Sequence, residues 1–186
     1  MADRRSGQEY GPVMAWTIRA ALPSDRDGIL EVVRAAFSGA DRDPGEELEI
    51  VERTWSCGAR PPGLELVATD RGMVIGHVLA AEGDLGGRPT LAIAPLSVMP
   101  HAQGQGIGTA LMTELLHRTD DVGCPLVVVL GDHRYYRRFG FEAAGPLGIV
   151  YEPVGRGSPH FQARRLDPAA PTHGGRFVYC WEERRD

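Results

Sequence analysis

No apolar run in this chain approaches the roughly 20 residues that a membrane-spanning helix needs, so a bilayer protein is not expected. A basic excess is missing as well. Lys and Arg total 20 against 25 Asp and Glu, a net charge of −5. A surface that tracks nucleic-acid phosphates needs the opposite balance, so nucleic acid is not an expected partner. Cysteine is scarce. Cys57, Cys124 and Cys180 are odd in number, far apart and in no metal-binding spacing. They read as reduced thiols of a cytoplasmic protein. The six histidines form no HxxxH or HExxH pattern, so no metal site is expected. Arg4 and Arg5 precede no apolar stretch and do not make a secretory signal. Internal repeats and low-complexity tracts are also lacking.

What is present is an ordinary globular mixture, 42% hydrophobic and 24% charged. Its 186 residues suffice for one domain with its own core. Residues 1–13 are polar and aperiodic and read as a flexible tail, leaving 14–186 as the domain. Trp16 to Arg19 reads as a strand. Pro23-Ser24-Asp25 opens a helix whose apolar positions, Ile29, Val32, Val33 and Phe37, recur at helical spacing. A second helix runs from Glu46 to Trp55. Strands follow at Leu64 to Thr69, Met73 to Ala81 and Leu91 to Val98, with turns at Asp70-Arg71-Gly72 and across Gly83 to Pro89. A helix from about Ile107 to Arg118 precedes Pro125 to Leu130, an apolar run suited to a strand buried on both faces. Asp132 caps a short helix that ends at Gly140. Short strands near Gly148 to Tyr151, Phe161 to Leu166 and Phe177 to Trp181 complete the chain. This order predicts a three-layer α/β/α sandwich with a central mixed, mostly antiparallel sheet.

The most informative unit is Gln103-Gly104-Gln105-Gly106-Ile107-Gly108 between a strand and a helix. Glycines there permit close backbone approach, and the N–H groups and dipole at the helix start suit a phosphate or pyrophosphate. A plain tight turn is the simpler alternative. A P-loop would need a lysine after the cluster, and none follows. A Rossmann fingerprint needs Gly-x-Gly-x-x-Gly, which glycines at 104, 106 and 108 do not satisfy. Coenzyme A remains.

The stretch from Val98-Met99-Pro100 through Gln103, Gly106 and Gly108 resembles the coenzyme-A motif of the GNAT acetyltransferases, Gln/Arg-x-x-Gly-x-Gly/Ala after a Val-x-Pro strand end. The order of elements from about Ala15 onward is similar to that fold. Leu91 to Val98 and Phe161 to Leu166 resemble a bacterial subgroup of these enzymes. The resemblance implies acetyl-CoA as co-substrate. It implies a pyrophosphate held by the backbone from Gln103, Gly104, Gln105, Gly106, Ile107 and Gly108 to Thr109. It also implies pantetheine amides paired along Leu96, Ser97 and Val98.

Such proteins often carry a Tyr four residues before a Gly-Phe pair, and Tyr136 before Gly140-Phe141 meets that spacing. A helical wheel puts Asp132, Tyr136 and Phe139 on one face, with Arg134 and Arg138 pointing to solvent and Tyr135 off the inward face. Tyr136 is therefore the expected general acid toward the leaving thiolate, with core packing as its simpler role. The Val98 N–H is a candidate oxyanion donor. No base is legible, because Leu91 to Val98 holds no carboxylate. Glu82, Asp84 and His133 are the nearest substitutes, each more simply an exposed turn or cap residue. The expected reaction is direct acetyl transfer to a primary amine. A longer acyl-CoA or a non-catalytic CoA sensor are the alternatives. The acidic stretch Asp41, Asp43, Glu46, Glu47 and Glu49 suits a cationic amine or is a solvated face. A homodimer is conceivable.

Overall fold

The computed structural model describes residues 16–39, 43–155, 157–167 and 174–182. The tail at 1–13, Asp41 and His173 lie outside the described residues. The order is β1 (Trp16–Ala20), α1 (Arg26–Phe37), α2 (Gly45–Cys57), β2 (Glu65–Asp70), β3 (Met73–Leu85), β4 (Arg88–Val98), α3 (Ile107–Asp121), β5 (Leu126–Leu130), α4 (His133–Tyr136), β6 (Glu142–Ala143), β7 (Ile149–Val150), β8 (Phe161–Arg165) and β9 (Gly175–Tyr179).

Local chemistry explains the element ends. Pro23 to Asp25 form a 3₁₀ turn that starts α1. The Asp25 carboxylate accepts the Leu22 N–H at 2.7 Å and an Arg19 guanidinium N–H at 2.8 Å. Asp132 caps α4 as expected, accepting the Arg134 N–H at 2.9 Å. One strand boundary differs. Gly83 and Asp84 belong to β3, not to a turn, and the reversal is confined to Gly86 and Gly87. There Gly83, Asp84 and Leu85 pair with Thr90, Pro89 and Arg88 of β4 and, on their other side, with β9, a long-range partner that local turn chemistry does not announce.

The main sheet order is β1-β2-β3-β4-β5-β8-β6, with β9 joining β3 and β7. Its pairs are antiparallel except β4–β5 and β7–β9. α3 packs on one face against Leu66, Ala68, Val78 and Ala80. α1 and α2 cover the other face, where Ile29, Val33 and Val51 meet Val67, Leu79 and Ala81. Alternate residues of β2 and β3 thus feed opposite layers, the period-two rule of a sheet buried on both sides. Each fully buried Leu or Ile contributes about 1.5–3 kcal/mol. The sandwich is therefore the expected one.

The cysteine expectation needs correction. Cys57 at the end of α2 and Cys180 just after β9 form a disulfide, with Cα atoms 6.6 Å apart across 123 positions of sequence. Only folding brings the two elements side by side, so spacing along the chain could not show the pair. Cys124 is free.

Candidate functional site

The site begins where the sheet splits. β4 and β5 run parallel and pair only from Leu91 to Ile93 on the β4 side. Beyond Ile93 the strands separate. β4 stays attached to β3: the Met99 N–H donates to the Ile75 carbonyl at 2.9 Å, and Ser97 pairs with His77. Backbone direction alternates along an antiparallel ladder. Ser97 therefore turns its amide toward β3, while the N–H groups of Leu96 and Val98 face the open seam. A register shift between Val78 and Ala80 bends this part of the ladder.

Two cavities meet over the seam. One, of about 510 Å³, is lined by Leu96, Ser97, Val98, Gln103, Gly104, Gly106, Ile107, Gly108 and Thr109, with Phe37, Tyr135 and Arg138. The second, of about 460 Å³, is lined by Ile93 to Leu96, Leu130 to Asp132, Tyr135, Tyr136 and Tyr179, under Phe37, Glu46, Glu47 and Ile50. Phe37, Leu96 and Tyr135 border both. That shared wall joins an extended slot to a second chamber roofed by α2.

The glycine loop supplies the far end of the slot. Gly104 and Gly106 have φ of +76° and +84°, a region that glycine enters without steric cost. Gly106 caps α3. The first helical bond runs from the Ala110 N–H to the Gly106 carbonyl at 2.9 Å. The N–H groups of Gly106, Ile107, Gly108 and Thr109 make no hydrogen bond among the described residues, as at any helix start. A Cβ at Gly106 would meet nothing within 4 Å, so its Cα faces open space. These free donors, the dipole and the Arg138 guanidinium fit a pyrophosphate. The Gln103 side chain folds back to the Val98 carbonyl at 3.0 Å and closes the loop. Gln105 is the one expected contact that does not line the slot. It is exposed, and its side chain donates to the His101 carbonyl at 3.2 Å.

The tyrosine reading needs one correction. Tyr136 is buried, 9% exposed, and borders the second chamber. Tyr135 is not off the inward face. It borders both cavities, and its hydroxyl is buried without a hydrogen-bond partner. The wheel fails because α4 is a single turn, His133–Tyr136, and the two cavities close around both of its neighbouring tyrosines. Tyr135 packs on Tyr136 and on Phe139, with ring centroids 5.1 and 5.6 Å away. Arg138 is not simply solvated: its guanidinium lies 4.2 Å over the Tyr135 ring and edges the slot. Burial, with the nearby Tyr135 phenol adding to it, pushes the Tyr136 phenol well above its usual range. Burial also raises Tyr135. Arg138 and the Thr109 side chain offset part of that rise, Thr109 lying close but short of hydrogen-bond geometry.

Glu82 and Asp84 stand elsewhere, around a third cavity of about 280 Å³ beside Cys180. His133 is exposed beside Asp132. Among the described residues no group of three or more His, Cys, Asp or Glu gathers as a metal set. Among the same residues no helix is long and apolar enough to cross a membrane. Sequence reasoning missed the roles of Phe37, Tyr135 and Arg138 as walls, because each depends on how α1 and α4 close over the seam.

A split sheet with a glycine-capped helix at one end defines an α/β protein built to hold an extended, phosphate-bearing ligand beside a second chamber. The sequence profile of the acetyltransferase (GNAT) family matches residues 27–141, and the chain belongs to that family. It is 36% identical over 153 residues to the Escherichia coli protein named uncharacterized N-acetyltransferase YhbS, covering 80% of this chain and 86% of that one. The crystal structure of E. coli YhbS in complex with CoA superposes with a TM-score of 0.79 at 31% identity, covering 91% of this chain and 92% of that one. A Brucella melitensis GNAT acetyltransferase in complex with acetyl-CoA gives 0.72 at 33% identity, over 88% and 95% of the two chains.

Proposed function

We propose that this chain transfers the acetyl group of acetyl-CoA to a primary amine by direct attack. The observation that carries the reading is the meeting of the two cavities at Phe37, Leu96 and Tyr135. The slot suits an extended thioester: phosphate donors at the loop, then the free edge of β4 for pantetheine amides. The second chamber opens on the same point and is where the amine enters. The exposed N–H of Val98, with that of Leu96, is available to a carbonyl oxygen as it becomes an oxyanion. No covalent enzyme intermediate is required.

Tyr136 is the proposed acid. A phenol pushed upward by burial stays protonated across the working pH range and can donate a hydrogen bond to the departing thiolate. Tyr135 is a second reading, favoured by its unpartnered hydroxyl at the shared wall. Of the acidic stretch, Glu49 is committed to Arg53 and Asp43 to the Gly45 N–H. Glu46 and Glu47 face the chamber and favour a cationic acceptor. A cytoplasmic location was expected partly from reduced cysteines, and the Cys57–Cys180 bond removes that ground.

The test is thiol release from acetyl-CoA with a panel of amines. Turnover with at least one amine is expected, and release in none of them favours the CoA sensor. Tyr136→Phe should lower kcat about tenfold to a thousandfold while acetyl-CoA affinity stays nearly constant, since the bond strengthens with charge on sulfur. A larger loss in Tyr135→Phe transfers the role to that residue. Wild-type turnover in both variants makes the phenols packing groups only.

A further inference from the structure

A cavity of about 650 Å³, larger than either seam cavity, lies apart from them and shares no lining residue with them. It is framed by α2, the turn after β7 and the end of β9. Four charged residues border it: Arg53, Glu152, Arg176 and Glu182. Two of them are spent inside the protein. Arg53 pairs with Glu49, one helical turn earlier. Glu182 uses both oxygens. Its Oε1 accepts the Tyr151 hydroxyl at 3.0 Å, and its Oε2 accepts the Tyr179 N–H at 2.8 Å.

Arg176 and Glu152 remain. Among the described residues neither side chain makes a hydrogen bond or ion pair, and the two do not pair with each other. Both are held in place by their backbones. Arg176 pairs with Val150 in the β7–β9 ladder, and its carbonyl accepts the Gly86 N–H at 3.0 Å. Glu152 opens a 3₁₀ turn, and its carbonyl accepts the Gly155 N–H at 3.1 Å. Arg176 is half-buried, with Nε shut away and unpartnered. Its charge is therefore partly stripped of water with nothing given in return, a cost that an anionic group at the terminal nitrogens would offset.

The planar fork of arginine matches a carboxylate through two parallel N–H···O bonds. The exposed Glu152 carboxylate accepts from an ammonium. One uncommitted charge of each sign on one cavity selects a ligand that carries one of each. A simple anion or cation would leave the opposite charge unanswered. The rest of the wall includes Pro153, Phe177 and the half-buried Trp181, which suit an apolar group.

We infer that this cavity binds a free α-amino acid with an apolar side chain. The α-carboxylate meets Arg176, the ammonium meets Glu152, and the side chain lies toward Pro153 and Trp181. The inference does not depend on acetyl transfer. Tyr179 is the partition between this site and the acceptor chamber. It borders that chamber, and its ring packs on Phe177 and Trp181, with centroids 4.8 and 4.4 Å away.

Calorimetric titration of the whole chain with L-phenylalanine is the test. Saturable binding at millimolar concentration or below is expected. Arg176→Gln should weaken it about ten- to a hundredfold, the range of hydrogen bonds to charged groups. Glu152→Gln should weaken it about two- to fivefold, as for an exposed charge pair. N-acetylphenylalanine keeps the carboxylate and loses the ammonium, and phenethylamine does the reverse. Each should bind the wild-type chain more weakly than phenylalanine does. The variants also locate the ligand, because neither Arg176 nor Glu152 lines the acceptor chamber. Melting temperature and acetyl-CoA affinity, both expected to stay close to wild type, report folding. If Arg176→Gln does not fold, Glu152→Gln and the two analogues decide. No saturable binding of phenylalanine, wild-type affinity in the folded variants, or equally tight binding of N-acetylphenylalanine overturns the site. Acetyl transfer stands or falls separately, on thiol release.

Discussion

Replacing Gly106 by valine tests the phosphate cradle through backbone geometry alone. Gly106 sits at φ +84° as the cap of α3. A side chain in that left-handed region costs roughly 1–2 kcal/mol, and β-branching places valine at the upper end. The new Cβ meets no protein atom within 4 Å, so no clash adds to this within the free protein. The cost must then surface in one of two places. If the loop keeps its shape, stability falls by that amount, a shift of about 2–8 °C in melting temperature for a chain of this size. If the loop relaxes, binding must restore it, and acetyl-CoA affinity falls by about 5- to 30-fold. The added methyls also occupy the space in front of the free N–H groups, which deepens the affinity loss in either case. Gly123 is the control. It too has positive φ, +71°, and open space at Cβ, but it follows α3 and borders neither cavity of the seam. Gly123→Val should lower the melting temperature and leave affinity intact. Calorimetric titration with acetyl-CoA and thermal melts on the three proteins decide the matter. A Gly106→Val protein with wild-type affinity would refute the assignment of this loop to phosphate.

Glu46→Gln and Glu47→Gln should raise KM for a diamine about two- to fivefold, as expected of exposed charge pairs, and leave a monoamine little affected. The difference should fade as salt is raised, and its absence at low salt removes these residues from acceptor recognition. Cys57→Ser should lower the melting temperature by about 4–16 °C, from the 2–4 kcal/mol typical of a disulfide and the response of a domain this large. Peptide mapping without reductant should recover Cys57 linked to Cys180, and free alkylation of both thiols would contradict the bond. Glu82→Gln and Asp84→Asn line a different cavity and should keep activity within a few-fold. A loss beyond about a hundredfold in either one would place the base there.

Local chemistry made much of this protein legible in its sequence. Periodicity marked α1 and α3 because an amphipathic helix repeats every 3.6 residues whatever it packs against. Three alternating glycines at the start of α3 marked a candidate anion site, since backbone donors and a dipole need no partner from elsewhere in the chain. The apolar run at Pro125 to Leu130 announced a strand, and Leu126 to Val129 are buried in it. What stayed hidden depends on contacts between distant segments. From Gly83 to Leu85, β3 pairs with β4 on one side and with the returning β9 on the other. Cys57 and Cys180 meet only after α2 and β9 are laid side by side. Tyr135 borders the seam because both cavities close around the single turn of α4, and one turn is too short to leave a periodic trace. His77 belongs to no motif in the sequence, and its opposition to Ser97 and bond to Glu65 come from strand register. A sequence carries the preferences of each segment. Register, seam and shared wall are properties of how segments pair, and the tertiary structure alone decides them.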